Sequence, residues 1–309
     1  MAKNLYPLKL KAVYKSTIWG GRRLINEYDK VCDLDNLAES WELSCRPDAM
    51  NVIENGEYAG KPLSFYFDKL EKDFPLLVKL IDANDKLSIQ VHPDDDYARK
   101  YENQYGKTEM WYIVDANPGA KLVFGLKDYD RDEFARAAEA GETEKFLNFV
   151  DVKKGDCFFI PAGCVHAIGE GILIAEVQQS SDVTYRVFDY NRRDKQGNLR
   201  ELHVKKALDV IKDLTENDMN ALRFERSKDG SMLVDCKYFS VWKKDLDLQC
   251  EISAQKSFTH VLCLDGEGEI DGYKIKKGDS YLLPAPENGD EKKYTVSGKL
   301  SLLCSKSYE

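Results

Sequence analysis

Two imidazoles, one carboxylate and one amide in this chain could together hold a divalent cation. In LSIQVHPDDDY, residues 87–97, Leu87, Ile89 and Val91 alternate with Ser88, Gln90 and His92. This period of two predicts a strand with one polar face. Gln90 and His92 then point the same way, about 7 Å apart along the strand. The chain has only four histidines. Glu109 opens a second β-rich run, EMWYIV, and His166 follows the turn Pro161-Ala162-Gly163. Two neutral imidazoles, a carboxylate and an amide oxygen suit Zn²⁺, which in catalytic sites commonly takes two His and a Glu and keeps a position open. Fe²⁺, Mn²⁺ and Ni²⁺ suit the same donors, because affinity alone does not select among them. A lone strand histidine is more often a core or surface residue, so the reading rests on the four residues together. His203, in RELHVKKAL, reads as capping or facing a helix, and His260 as structural.

Around this set stand groups able to move a proton or meet an anion. Lys107 lies two residues before Glu109, hence on the same side of an extended chain. Glu176 sits in the apolar run GILIAEVQQ, where an unpaired carboxylate is costly. Asp182 and Arg186 follow in SSDVTYRVFDY, either as active-site groups or as a structural ion pair. Burial and a nearby cation would shift such groups toward acid–base use.

The elements that must position these residues read mainly as strands. Seven short runs, 74–83, 86–92, 109–114, 120–126, 156–161, 171–179 and 183–188, are β-rich and bounded by Gly, Pro or Asp. Helical patterns are few, at 61–72, 130–149 and 203–212. Such a series predicts a sandwich or barrel rather than βαβ units. An internal echo supports two related halves: KKGDCFFIPA at 153–162 matches KKGDSYLLPA at 276–285. The upstream runs TEMWYIVDANPGAKL and THVLCLDGEGEI align Glu109 with His260. The second copy lacks a counterpart of His166 and reads as packing. Expected boundaries are a catalytic barrel at 1–212, a polar connection at 213–233 and a degenerate C-terminal barrel at 234–309.

Composition sets limits. The chain has 309 residues, 43% apolar and 32% charged, with a net charge of -9. That charge argues against nucleic acid or an anionic membrane surface as partner. No apolar run reaches the roughly 18 residues of a membrane span, and the N-terminus lacks the apolar stretch of a secretory signal. The eight cysteines form no CxxC pair, so free thiols in a reducing cytoplasm are expected.

The motifs then converge. IWGGRRL (18–24), AESWELS (38–44), FPLLVKLIDANDKLSIQVHPDD (74–95), GKTEMWYI (106–113), GDCFFIPAGCVHAIGEGILIAEVQQSSDVTYRVFDYNR (155–192) and RELH (200–203) resemble the short form of the type I mannose-6-phosphate isomerases. The C-terminal third resembles the family's second barrel more loosely. The resemblance implies a cupin-type double jelly-roll or β-barrel fold with one zinc ion per chain on Gln90, His92, Glu109 and His166. It implies Arg186 as catalytic arginine, Lys107, Glu176 and Asp182 as further active-site residues, and Lys79 and Ser88 near the substrate phosphate. The implied reaction interconverts mannose 6-phosphate and fructose 6-phosphate through a cis-enediol. Glu176 is the favoured base, with a metal-held water or a histidine as alternatives. The long family form's large helical insertion is missing, with only 130–149 in its place. The implied substrate is a small sugar phosphate, and the chain is expected as a monomer or homodimer. Rival readings are an isomerase of another aldose, a non-catalytic sugar-phosphate-binding cupin and a metal-dependent cupin oxygenase.

Overall fold

Each of the seven β-rich runs contains a strand: Leu76–Ala83, Ile89–Val91, Glu109–Ala116, Lys121–Leu126, Cys157–Ile160, Ile172–Gln179 and Tyr185–Phe188. The computed structural model describes residues 4–67, 74–193, 197–224 and 232–308. Strands outnumber helices throughout, and the fold is mainly β. The chain divides into two units, Met1–Lys15, Arg23–Leu80 and Arg226–Glu309 in one, and Ser16–Arg22 and Ile81–Glu225 in the other. This partition differs from linear boundaries at 212 and 233. Strand Leu8–Lys11 pairs with Ser280–Pro284, Leu8 opposite Leu282, so chain ends far apart in sequence share a sheet. Of the expected connection, 225–231 lies outside the described residues, and the preceding part holds a short helix, Glu216–Ala221, with a Thr215/Asp218 capping box.

In the unit with Ile81–Glu225, a five-stranded antiparallel sheet runs in the order Leu147–Asp151, Lys121–Leu126, His166–Ile168, Ile89–Val91, Tyr185–Phe188. A second layer pairs Cys157–Ile160, Glu109–Ala116 and Ile172–Gln179. Rings cross between the layers, Phe124 onto Phe158 at 5.2 Å. On the outer face of the first sheet, Ile89, Val91, Val123, Ala167 and Val187 cluster with Phe134, Ala137 and Ala138 of helix Arg131–Ala140 and with Ala207 and Val210 of helix Val204–Val210. Strand alternation therefore turns Gln90 and His92 inward, toward the second layer. The polar face read from the sequence is an interior face.

The helix expected over 130–149 stops at Ala140. Asp130 caps its start, accepting from Glu133 N at 2.8 Å, and Gly141 ends it at φ 74°. A 3-10 turn at Thr143–Phe146 follows, and Leu147–Asp151 becomes the outer strand of the five-stranded sheet. The pattern at 61–72 yields a helix over Leu63–Tyr66, while 68–72 lies outside the described residues. At 203–212 the helix is Val204–Val210.

In the other unit, Phe239–Leu246, Lys292–Ser307, Phe258–Ile270 and Ser280–Pro284 form consecutive antiparallel strands. Their core gathers Val261, Cys263, Tyr281, Leu283, Tyr294, Val296 and Leu302. The echo between halves extends to single bonds. Asp156 accepts from Lys153 N at 3.0 Å, and Asp279 from Lys276 N at 3.0 Å. Register corrects the alignment by one residue. Ile160 faces Glu109, and its counterpart Leu283 faces Thr259, so Thr259 rather than His260 holds the place of Glu109. His260 is buried between hydroxyls, Nε2 at 2.8 Å from Ser280 Oγ and Nδ1 at 3.4 Å from Ser305 Oγ, as its structural reading requires.

Candidate metal centre

His92, Glu109 and His166 come from three separate strand segments and meet inside one unit. The turn after Ile160 is what delivers His166. Gly163 sits there at φ 92° and donates its N–H to His92 O at 2.9 Å, tying the two histidine segments together. A Cβ at this position would be strained and would stand 2.8 Å from Val210 O. His166 pairs with Gln90 on one side and with Phe124 on the other. Pro93 ends the Gln90 strand, and the acids behind it serve the next helix. Asp94 caps Asp95–Glu102 by accepting from Tyr97 N at 3.2 Å. Pro93 O receives Lys107 N at 3.0 Å, which sets the start of the Glu109 segment.

Both imidazoles turn the same atom inward. His92 Nδ1 lies 2.9 Å from Val183 O, and His166 Nδ1 lies 2.9 Å from Cys164 O. A carbonyl only accepts, so both Nδ1 atoms carry the proton and both Nε2 atoms present lone pairs. These Nε2 atoms stand 3.1 Å apart. Glu109 Oε2 lies 3.5 Å from His92 Nε2, and its Oε1 lies 3.4 Å from His166 Nε2. Three buried donors thus converge. Two imidazole lone pairs facing each other beside a carboxylate gain nothing as a hydrogen bond. They fit a shared divalent cation, with backbone carbonyls behind each ring as in metal sites generally. Burial, helped by the Lys107 charge and opposed by the hydrogen bond to Cys164 O, pushes the His166 imidazolium down to about 4, so this ring is neutral at pH 7.

The other expected residues fall at graded distances. Lys107 Nζ is 2.7 Å from Glu109 Oε2 and 3.2 Å from His92 Nε2, as its spacing implied. Gln90 joins through its amide nitrogen, 3.3 Å from His166 Nε2, so offering Oε1 to an ion requires turning the amide over. Ser88 Oγ lies 3.5 Å from Gln90 Oε1. Glu176 is buried on the strand beside Glu109 and accepts from Trp111 Nε1 at 3.0 Å. Arg186 pairs with Gln90 in register, while its Nη1 donates to Glu201 O at 2.8 Å. Asp182 is exposed on the segment before Tyr185–Phe188. Lys79 belongs to the other unit, 3.4 Å from Glu39 and 5.0 Å from the Trp41 ring. His203 stands at the N-cap of Val204–Val210 without capping through its side chain, and Nδ1 accepts from Arg186 N at 3.3 Å. Cys32, Cys157, Cys164, Cys236, Cys263 and Cys304 carry free thiols.

One residue escapes a reading of the sequence. Trp111 is fully buried, and its ring meets the His166 ring edge-on at 5.2 Å. A tryptophan in a β-rich run reads as core. Its position two residues after Glu109, hence on the same strand face, is the signal that was present.

Known proteins share the sequence pattern and the fold. Residues 7–131 match the family described as "Phosphomannose isomerase type I, catalytic domain", and residues 229–307 match "Mannose-6-phosphate isomerase, cupin domain". The chain is 41% identical over 293 residues to the mannose-6-phosphate isomerase ManA of Bacillus subtilis (strain 168), covering 90% of this chain and 93% of that one. It is 36% identical to a mannose-6-phosphate isomerase of Streptococcus mutans serotype c, covering 98% of this chain and 99% of that one. The crystal structure of the mannose 6-phosphate isomerase from Bacillus subtilis matches with a TM-score of 0.83 at 32% identity, over 97% of this chain and 99% of that one. With its cupin halves and its buried His–Glu–His cluster, the chain belongs to the type I mannose-6-phosphate isomerase family.

Proposed function

We propose that this chain interconverts mannose 6-phosphate and fructose 6-phosphate, with a zinc ion held by His92, Glu109 and His166 and by the Gln90 amide. The observation that carries the reading is the pair of inward Nε2 atoms 3.1 Å apart, their Nδ1 atoms fixed by carbonyls, beside the Glu109 carboxylate. When bound, the ion would supply Lewis acidity to the sugar oxygens and lower the cost of charge on the enediolate by ~3 kcal/mol. The remaining work falls to side chains. Glu176 takes the proton from C2 and returns it to C1, while the hydroxyl proton moves from O2 to O1, so that the C1 aldehyde becomes an alcohol and the C2 alcohol a ketone. The Lys107 ammonium, 2.7 Å from Glu109 and so held at the centre, faces negative charge developing on the sugar oxygens. Arg186, on the strand next to Gln90, brings a planar fork for the enediolate or phosphate. Asp182 contributes a polar contact from its exposed segment, and Ser88 anchors phosphate. For Lys79 the family resemblance implies a place near the substrate phosphate. Substrate is a soluble sugar phosphate, and free thiols suit a reducing cytoplasm.

The test is an isomerase assay on chelator-stripped protein. Turnover of mannose 6-phosphate should vanish on stripping and return with one equivalent of Zn²⁺. Full turnover by stripped protein would remove the metal from the reaction. Free mannose as substrate separates the rival aldose: equal rates with and without the phosphate would shift the assignment to an unphosphorylated sugar.

A further inference from the structure

We propose that Trp111 is a positioning residue of this centre, its indole N–H holding the Glu176 carboxylate and its ring edge holding the His166 imidazole. The inference rests on the function proposed above for Glu176. Three facts carry it. Trp111 Nε1 donates to Glu176 Oε1 at 3.0 Å, and both residues are buried. The Trp111 and His166 rings meet at 5.2 Å with an interplanar angle of 79°. Register places Trp111 opposite Glu176 and Glu109 opposite Gln178, so one strand face carries a metal donor and, two residues on, the group that touches both another donor and the base. A buried indole needs one acceptor, and backbone or neutral side chains usually provide it. Here the acceptor is a carboxylate at 3% exposure, where the charge-assisted bond fixes one carboxylate oxygen and with it the orientation of the whole group. The same ring limits rotation of His166 about its side-chain bonds, adding to the Cys164 O contact at Nδ1.

Two substitutions separate the two roles. Trp111→Phe keeps an aromatic edge against His166 and deletes the N–H. It should lower kcat on the order of tenfold or more, change KM little, and leave one metal ion per chain. Trp111→Leu removes the ring as well, and should weaken zinc in chelator competition on the order of tenfold. In a Glu176→Gln background, Trp111→Phe should cause no further loss of kcat, because the carboxylate it orients is already gone. Unchanged kcat in Trp111→Phe, or losses that multiply in the double variant, would overturn the proposal. So would full kcat in Glu176→Gln. Two readouts need no turnover: zinc affinity, and the ¹⁵N-indole resonance of Trp111, which should move when Glu176 becomes Gln. If the wild-type enzyme were inactive on mannose 6-phosphate, the functional reading would fail. These two readouts would still decide the positioning contacts: unchanged affinity in Trp111→Leu together with an unmoved resonance would reject them.

Discussion

What separates the two clustered histidines, His92 and His166, from the others is what their Nδ1 atoms meet. His92 and His166 face carbonyls there, which forces the lone pair onto the inward Nε2. His203 Nδ1 accepts a backbone N–H, and His260 lies between two hydroxyls. Their tautomers are taken up by the fold. Accordingly, His166→Ala and Glu109→Ala should lower zinc affinity by more than about 10–100-fold, the range already seen when a group behind a ligand is lost. Far-UV circular dichroism should remain that of a β protein. A variant with full zinc content would displace that residue from the donor set. Arg186→Lys should reduce kcat about tenfold or more, because an ammonium cannot replace two forked donors. Steady-state kinetics with unchanged kcat would take Arg186 out of the reaction. The candidate cluster was legible because histidines are few in this chain and the spacing of its members fits strands. Trp111 was not, since burial and ring contacts belong to the folded state.

Among the elements, the five-stranded sheet is covered on its outer face by two helices, and the inner face is left for polar groups. Helix Arg131–Ala140 does this through Phe134, Ala137 and Ala138. Phe134→Ala should destabilise the protein by about 3–5 kcal/mol, from lost burial and the cavity left behind. Asp130→Ala should cost about 1 kcal/mol by removing the cap on Glu133 N. Urea unfolding midpoints would check both, and a Phe134→Ala loss below about 1 kcal/mol would show that the helix is not what holds that sheet face. The helix itself was readable in the sequence. Its end was misread because the polar pattern continues past Gly141, whereas the backbone there turns left-handed and Leu147–Asp151 finds a strand partner in Lys121–Leu126. That pairing is a nonlocal hydrogen-bond ladder, invisible to periodicity.

Across the whole molecule, each unit buries an imidazole, and both should appear in acid stability. Burial pushes His260 down to about 3 and His166 to about 4. Both folded-state values lie below the ordinary 6.5, so the unfolded chain binds more protons. Their stabilising contribution is present above about pH 6.5 and is lost as pH falls toward 4. Each group removes up to about 1.4 kcal/mol per pH unit in that window. Asp189, whose carboxyl is held low by Arg200 and Arg192 against the cost of burial, adds a further loss in the acid range of carboxylates. His260→Asn cannot titrate and should flatten the slope by about one proton in metal-free protein. Urea midpoints from pH 4 to 7 with an unchanged slope would show that His260 protonates while folded.

Sequence alone determined the mainly β class, the echo of KKGD turns, the candidate donor types and the family. Those depend on local alternation, turn chemistry and side-chain type, which each residue carries with it. Tertiary structure decided that the Gln90–His92 face is interior, that Thr259 and not His260 stands where Glu109 does, and that Trp111 joins Glu176 to His166. These outcomes depend on register and layer packing. A one-residue slip in either reverses every side chain on a strand, and only the pairing of distant segments fixes it.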